Sequence, residues 1–382
     1  MLIEAKMYIP QAQLENLRKT ITAGKVTIIY GPRRVGKTTL IQKFMDTLNK
    51  SKLYVAGDDL IAQQYLGSQS IERLKSFIGE HQYLFIDEAQ YVKQIGLNLK
   101  LIVDHIPHVA IVASGSSSFE LASQIGEPLT GRRYVLKLYP LAQLELTRTE
   151  TRMQTEARLG SRLVFGSYPE VITMNDNHNR QRYLNELVNA YLFKDILALE
   201  GVRHSDKLIR LLQLLAFQIG KTVSISELGS HLGMSKNTVD RYIDLLEKAF
   251  VIFRRTGFSR NLRKELTKNS RFYFYDNGIR NAVIGNFNPL EMRNDIGQLW
   301  ENYIITERLK QQEYKGIFRQ SYFWRTYSQQ EIDLVEETGG KLCGFEIKWK
   351  AKKISAPTEW RKTYPAASFE VISPENYLDF II

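Results

Sequence analysis

Eight residues, Gly31-Pro32-Arg33-Arg34-Val35-Gly36-Lys37-Thr38, constrain this chain more than any other stretch. A β-type apolar run, Val26-Thr27-Ile28-Ile29-Tyr30, precedes them, and apolar residues at helical spacing (Leu40, Ile41, Phe44, Met45, Leu48) follow. The order strand, glycine loop, helix predicts an α/β unit whose loop wraps an anion. Two glycines let the backbone curl so that successive N–H groups point inward at phosphate oxygens. The helix start adds its partial positive charge. Lys37 has the reach to meet terminal phosphates, and the Thr38 hydroxyl suits Mg²⁺. The expected ligand is a nucleoside triphosphate held by Gly31 through Thr38, with Thr39 in the first helical turn.

Alternating strand and helix signals follow, the pattern of a parallel sheet covered on both faces. Lys52 to Ala56 reads as a strand and Ile71 to Ile78 as a helix. Tyr83-Leu84-Phe85-Ile86 is a short buried-strand run that ends in Asp87-Glu88. There Asp87 is expected to hold Mg²⁺, and Glu88 to polarise the attacking water. The next run, Val109 to Ala113, ends in Ser114-Gly115-Ser116-Ser117-Ser118. Ser114 is the expected γ-phosphate sensor; a later serine, or a helix cap, fits the same cluster. Arg132, in Leu129-Thr130-Gly131-Arg132-Arg133, is expected to stabilise transition-state charge in its own or a neighbouring subunit's site. A basic surface turn explains it equally. No Asn-Lys-x-Asp element is present, which favours adenine over guanine.

Taken together, these residues resemble an AAA-type ATPase core with a parallel sheet, covering residues 1–150. The resemblance is nearest to a prokaryotic family of AAA-type ATP-binding proteins with an additional C-terminal domain of uncharacterised function. It implies ATP and Mg²⁺ as cofactors. It also implies a domain order: a helical connector or lid (151–204), a winged helix-turn-helix (205–280) and an α/β restriction-nuclease-like domain (281–382).

The residues after the core carry their own signals. Tyr183, Leu184, Leu187, Val188, Tyr191, Leu192 and Ile196 form one apolar helical face in the connector. Ser224-Ile225-Ser226-Glu227-Leu228 starts a helix with capping-type residues, and Gly233-Met234-Ser235 makes a turn. Lys236 to Leu246 is the candidate recognition helix. It buries Val239, Tyr242, Ile243 and Leu246, and presents Lys236, Asn237, Thr238 and Arg241 outward. A hairpin from Phe250 to Tyr275 would follow, carrying Arg254, Arg255, Arg260, Arg263, Lys264 and Lys268. Residues 201–290 hold 15 Lys and Arg against 7 Asp and Glu, so +8 of the chain's +11 lies here. Such concentration points to DNA. A protein-contact role for the module remains the alternative.

In the last hundred residues a helix carries Glu301, and Glu331-Ile332-Asp333-Leu334-Val335 alternates as a half-buried strand. A Gly339-Gly340 turn leads to Phe345-Glu346-Ile347-Lys348, where alternation puts Glu346 and Lys348 on one face. Asp333 can pair beside Glu346. Two carboxylates and a lysine suffice to bind a hard divalent cation and set a water against a phosphodiester. The pattern resembles PD-(D/E)XK nucleases, with Glu301 in the helix position, and implies a second divalent metal.

The single cysteine, Cys343, fits a reducing cytosol, and no run approaches a membrane span. The N-terminus lacks a signal-peptide pattern, so a cytoplasmic protein without membrane attachment is expected. The leading functional expectation is a nucleotide-driven ATPase switch acting on DNA, with a homo-oligomer or protein partner compatible. The alternatives are an ATP-gated nuclease and a nucleotide-sensing DNA-binding regulator with little turnover.

Overall fold

The computed structural model describes residues 8–115, 129–192, 205–259, 270–350 and 353–382. The chain divides into two compact units, one of residues 8–140 with 248–250, the other containing 141–247 and 251–382. No helix among the described residues is long and apolar enough to cross a membrane.

The first unit is built on five strands: β1 (Val26–Tyr30), β2 (Lys52–Ala56), β3 (Tyr83–Asp87), β4 (Ala110–Gly115) and β5 (Arg133–Lys137). Their order is β2-β3-β4-β1-β5, and every pairing is parallel. Every residue of β1 and β4 is buried, as expected for central strands made of Val, Ile and Ala with helices on both faces. β2, at the edge, is only partly covered. The helices Lys37–Met45, Leu60–Leu66, Ile71–Ile78 and Ile95–His105 make the crossovers. Asp59 and Ser70 cap two of them with side-chain oxygens. The expected strand at 52–56 and helix at 71–78 form at those bounds. Because β4 lies between β1 and β3, Ser114 stands between the glycine loop and Asp87-Glu88.

In the second unit, β6 (Thr222–Val223), β7 (Ile252–Arg255) and β8 (Ser270–Phe274) form an antiparallel sheet of order β6-β8-β7. The helices Ser205–Phe217, Ile225–Leu232 and Lys236–Lys248 precede the hairpin. A second sheet, of order β12-β11-β10-β9, contains β9 (Gln320–Arg325), β10 (Glu331–Thr338), β11 (Lys341–Ile347) and β12 (Ser368–Ile372). Gly339 and Gly340, both at positive φ, make the two-residue turn between β10 and β11. The register of β10 on β9 slips between Ile332 and Val335, beside Asp333.

The two sheets of this unit are joined. Gly257 bridges to Phe323, and the Phe258 N–H donates to the Phe323 carbonyl (2.6 Å). The helix Ile296–Lys315 fastens β8 from one side. Its Asn302 carboxamide bonds both the N–H and the carbonyl of Phe274 (2.8 and 3.0 Å), and Thr306 reaches the same carbonyl (2.9 Å). One apolar cluster runs from Leu159 and Leu163 through Phe253, Tyr273 and Trp300 to Phe345 and Tyr377. Asp276 follows β8 and caps the helix Asn277–Ile284 by accepting from the Ile279 N–H.

Candidate functional site: the loop at the sheet's carboxyl edge

The glycine loop leaves β1 at its carboxyl end and returns as the helix Lys37–Met45. Arg34 and Gly36 take left-handed backbone conformations (φ 65° and 96°). Such alternation turns consecutive N–H groups toward one point, which is how a loop forms an anion-binding nest. Lys37 is buried, and its ammonium donates to the carbonyls of Gly31 (3.0 Å) and Pro32 (2.9 Å). Pro32 and Val35 are buried, Arg34 and Thr39 exposed, and Arg33 reaches the Tyr91 hydroxyl (3.3 Å). Gln11, which precedes the first strand, donates its amide to the Val35 carbonyl (3.0 Å) and steadies the loop from below.

Asp87, buried at the end of β3, collects three hydroxyl donors. Thr38 Oγ1 lies 2.6 Å and the Tyr54 hydroxyl 3.2 Å from Oδ2, while Ser114 donates to Oδ1. Burial first, then the charge of Asp87, pushes the Tyr54 pKa up to about 12, so Tyr54 stays a neutral donor. The Thr38–Asp87 pair presents a hydroxyl and a carboxylate to one point, a fitting oxygen set for a hard cation such as Mg²⁺. Glu88 turns off the strand in a left-handed conformation (φ 50°, ψ 46°). Its N–H donates to Ser114 Oγ (3.1 Å), and its carboxylate Oε2 accepts from the Gln90 side-chain amide. The loop residues, Lys37, Thr38, Asp87, Glu88 and Ser114 thus converge at one edge. Gln11, Tyr54 and Gln90 join them without having been anticipated.

Arg132 does not converge. It precedes β5, where Arg133 pairs level with Val26 at the amino end of the parallel strands. The loop leaves after Tyr30, four residues along, or roughly 13 Å at strand rise. Arg132 instead pairs with Asp104 on the helix Ile95–His105. A role for it in its own site is therefore corrected: position near the loop in topology did not mean the same edge of the sheet.

In the second unit, Lys236 and Asn237 are exposed, Thr238 is half-buried and Arg241 exposed on the helix Lys236–Lys248. Arg254, carried by the hairpin, is partly exposed. It pairs with Asp240 (2.9 Å) and Glu247 (3.5 Å), and its guanidinium lies over Phe272. Arg255 is partly buried, with its guanidinium over Phe253. Arg260, Arg263, Lys264 and Lys268, like Ser116 to Ser118, lie outside the described residues.

Glu301, Asp333, Glu346 and Lys348 do come together. Lys348 pairs with Glu346 (2.6 Å) and Asp333 (3.5 Å), and the Ile347 N–H donates to Asp333 Oδ2 (3.0 Å). Burial raises the pKa of Glu301 and Glu346, with Asp333 adding to both. Burial opposes the Lys348 charge, but Asp333 and Glu346 hold its pKa above the usual lysine range. A fifth side chain enters the cluster. Arg271 of β8 pairs with Glu331 (2.7 Å), Asp333 (3.3 Å) and Glu301 (3.6 Å), and Tyr273 donates to Glu301 (2.7 Å). Both Asp333 oxygens are thereby engaged, and Glu346 Oε2 is left buried without a hydrogen-bond partner. A divalent cation here would have to displace the charged Arg271 and Lys348 groups that already pair with Asp333, Glu301 and Glu346. Among the described residues no group of three or more His, Cys, Asp or Glu is arranged to hold a metal ion. The expected second metal does not fit this arrangement.

Comparison with known proteins places the first unit. Residues 23–147 match the family model of an AAA domain. That match spans the glycine loop, Asp87-Glu88 and all five parallel strands. Residues 156–290 and 296–371 match two domains of unknown function, DUF8612 and DUF4143. An uncharacterized protein of Mycobacterium tuberculosis is 26% identical over 337 residues, covering 87% of this chain and 72% of that protein. An uncharacterized protein of Haemophilus influenzae is 25% identical over 374 residues, covering 92% and 84%. Among solved structures, the RuvB Holliday junction branch migration motor of Thermotoga maritima aligns with a TM-score of 0.33 and 18% identity, over 64% of this chain and 90% of that one.

Proposed function

We propose that this chain is a Mg²⁺-dependent ATPase that acts as a nucleotide-driven switch on DNA. The observation that carries the reading is the hydrogen-bonded set Thr38–Asp87–Ser114–Glu88, drawn from adjacent strands and the helix start at the carboxyl edge of the sheet. Bound Mg²⁺ would neutralise phosphate charge between Thr38 and Asp87. The loop N–H groups orient the phosphates, and Lys37 exchanges its two carbonyl partners for phosphate oxygens. Glu88 lies one residue beyond Asp87 and takes the proton-accepting position toward the attacking water. The AAA-domain match over residues 23–147 supports this assignment.

The DNA part of the reading rests on the second unit. The order helix, short strand, helix, turn, helix, hairpin over residues 205–274 supports a winged helix-turn-helix. Lys236, Asn237, Thr238 and Arg241 stand at the end such a module presents to a duplex. Phosphate contacts of this kind weaken steeply with salt.

The test is phosphate release from ATP by the purified chain and by Lys37→Ala, with duplex-DNA binding measured at several salt concentrations. Lys37→Ala should lose at least 100-fold in turnover, and Lys236→Ala with Arg241→Ala should weaken DNA binding and flatten its salt slope. A Lys37→Ala protein that hydrolysed ATP at the parent rate would falsify the ATPase assignment.

A further inference from the structure

Strand β8 is the central strand of its sheet, and all five of its residues are buried. Alternation puts Arg271 and Tyr273 on one face and Phe272 and Phe274 on the other. The Arg271 side chain is only 3% exposed, an unusual place for a guanidinium unless it is paired. Its pairing is extensive: Nη2 meets Glu331, Nη1 meets both Asp333 and Glu301, and the Phe323 ring lies 4.8 Å from its central carbon. Burial opposes this charge, but Tyr273, Glu301, Asp333 and Glu331 hold it well above the ordinary arginine range.

The carboxylates come from outside the β8 sheet. Glu301 belongs to the helix Ile296–Lys315, Glu331 and Asp333 to β10, and Glu346 to β11. Asp333 sits at the register slip of β10, the kind of irregularity that re-aims a side chain. A forked guanidinium can satisfy several carboxylates at once, which a lysine ammonium does less well. Asn302 and Thr306 hold β8 at Phe274, three residues from Arg271, and the Phe258–Phe323 bond joins the same two sheets. Arg271 is thus delivered by a strand fastened on both sides.

We propose that Arg271 is the resident cation of the C-terminal carboxylate cluster, standing where a divalent metal would be required and latching β8 to the sheet β12-β11-β10-β9. Four carboxylates (Glu301, Glu331, Asp333, Glu346) face two fixed cations, Arg271 and Lys348. The cluster serves as a metal-free ion-pair junction inside the second unit, and phosphodiester hydrolysis is not its work. This inference is independent of the ATPase reading.

Manganese uptake tests it on the full chain without nucleotide, followed by electron paramagnetic resonance of free Mn²⁺ up to about 1 mM. The parent and Glu346→Gln should take up the same amount, since the cluster holds no ion. Arg271→Ala should gain one Mn²⁺ per chain, bound at least 10-fold more tightly than any background site, and Glu346→Gln placed on Arg271→Ala should abolish that gain. Melting in 5 mM Mn²⁺ should rise for Arg271→Ala alone. Parent uptake that Glu346→Gln removes overturns the proposal, as does a folded Arg271→Ala protein that gains no site. Should Arg271→Ala fail to fold, the parent and Glu346→Gln comparison still decides, and Arg271→Lys should fold without taking up the ion.

Discussion

Gln90 offers the sharpest probe of how this site prepares its base. Its side-chain amide donates to Glu88 Oε2 while the Glu88 backbone is held left-handed, with its N–H on Ser114. Three constraints therefore converge on one glutamate, and the amide is the one that acts on the carboxylate itself. A hydrogen bond to a charged group contributes roughly 1.5–3 kcal/mol when shielded, and Glu88 is half-buried, so about 1–2 kcal/mol is the working figure. If that energy keeps Glu88 in its working rotamer, Gln90→Ala should lower kcat by about 5- to 30-fold. Nucleotide affinity should change far less than kcat, because the amide acts on the Glu88 carboxylate. Steady-state phosphate release across an ATP series gives kcat and KM, and a fluorescent ATP analogue gives affinity. Gln90→Glu sets a second carboxylate against the first. The pH at which kcat reaches half its plateau should therefore rise. A Gln90→Ala protein with kcat within twofold of the parent would refute the argument. An increase in kcat would refute it differently, by showing that the amide restrains Glu88 from its working position.

Two further outcomes follow from geometry elsewhere. A Cβ on Gly57 would lie 2.4 Å from the Glu88 carbonyl oxygen, closer than any real contact, so Gly57→Ala must shift the Asp87-Glu88 turn. It should cut turnover at least 10-fold in a protein that still folds, and unchanged kinetics would show that the turn tolerates displacement. Asp276, 5% exposed, is pushed up from 3.8 to about 6 by burial, against the opposing Lys310 charge and backbone N–H groups of Ser167, Ile279 and Gly278. A carboxyl whose folded pKa is raised binds its proton more tightly folded than unfolded. Its contribution is complete below about 3.8 and lost as pH rises through about 6, some 3 kcal/mol in all. Urea melts between pH 3 and pH 7 should show the parent losing about that much relative to Asp276→Asn, whereas parallel curves would contradict the assignment.

How much of this was legible depended on how local each signal was. The glycine loop and the strand ending in Asp87-Glu88 could be read because a few adjacent residues dictate both backbone path and exposed chemistry. Gln11 and Tyr54 could not, since their partners lie 24 and 33 residues away and nothing in their own neighbourhoods marks them. Arg132 stays away from its own site for a topological reason: a residue just before a parallel strand lies at the edge opposite the glycine loop. In the C-terminal region, alternation correctly put Glu346 and Lys348 on one face and brought Asp333 beside them. The same alternation made Arg271 and Tyr273 a pair, but only the packing of two sheets shows which carboxylates they meet.

That last point changes what the basic charge of residues 201–290 means. Arg254 is paired with Asp240 and Glu247, Arg271 with the C-terminal carboxylates, and Arg280 with Asp295 at 2.5 Å. Three of the fifteen cations are therefore committed to internal pairs and add no field at a DNA surface. A net charge of +8 counts their acidic neighbours Asp240 and Glu247 as well, but Asp295, Glu301, Glu331 and Asp333 fall beyond residue 290 and escape the sum. Counted with those partners, the excess shrinks. Among the described residues, the proposed duplex contact would draw on the exposed helix start at Lys236, Asn237 and Arg241, so substitutions there should move the salt slope of DNA binding while Arg271 substitutions should not.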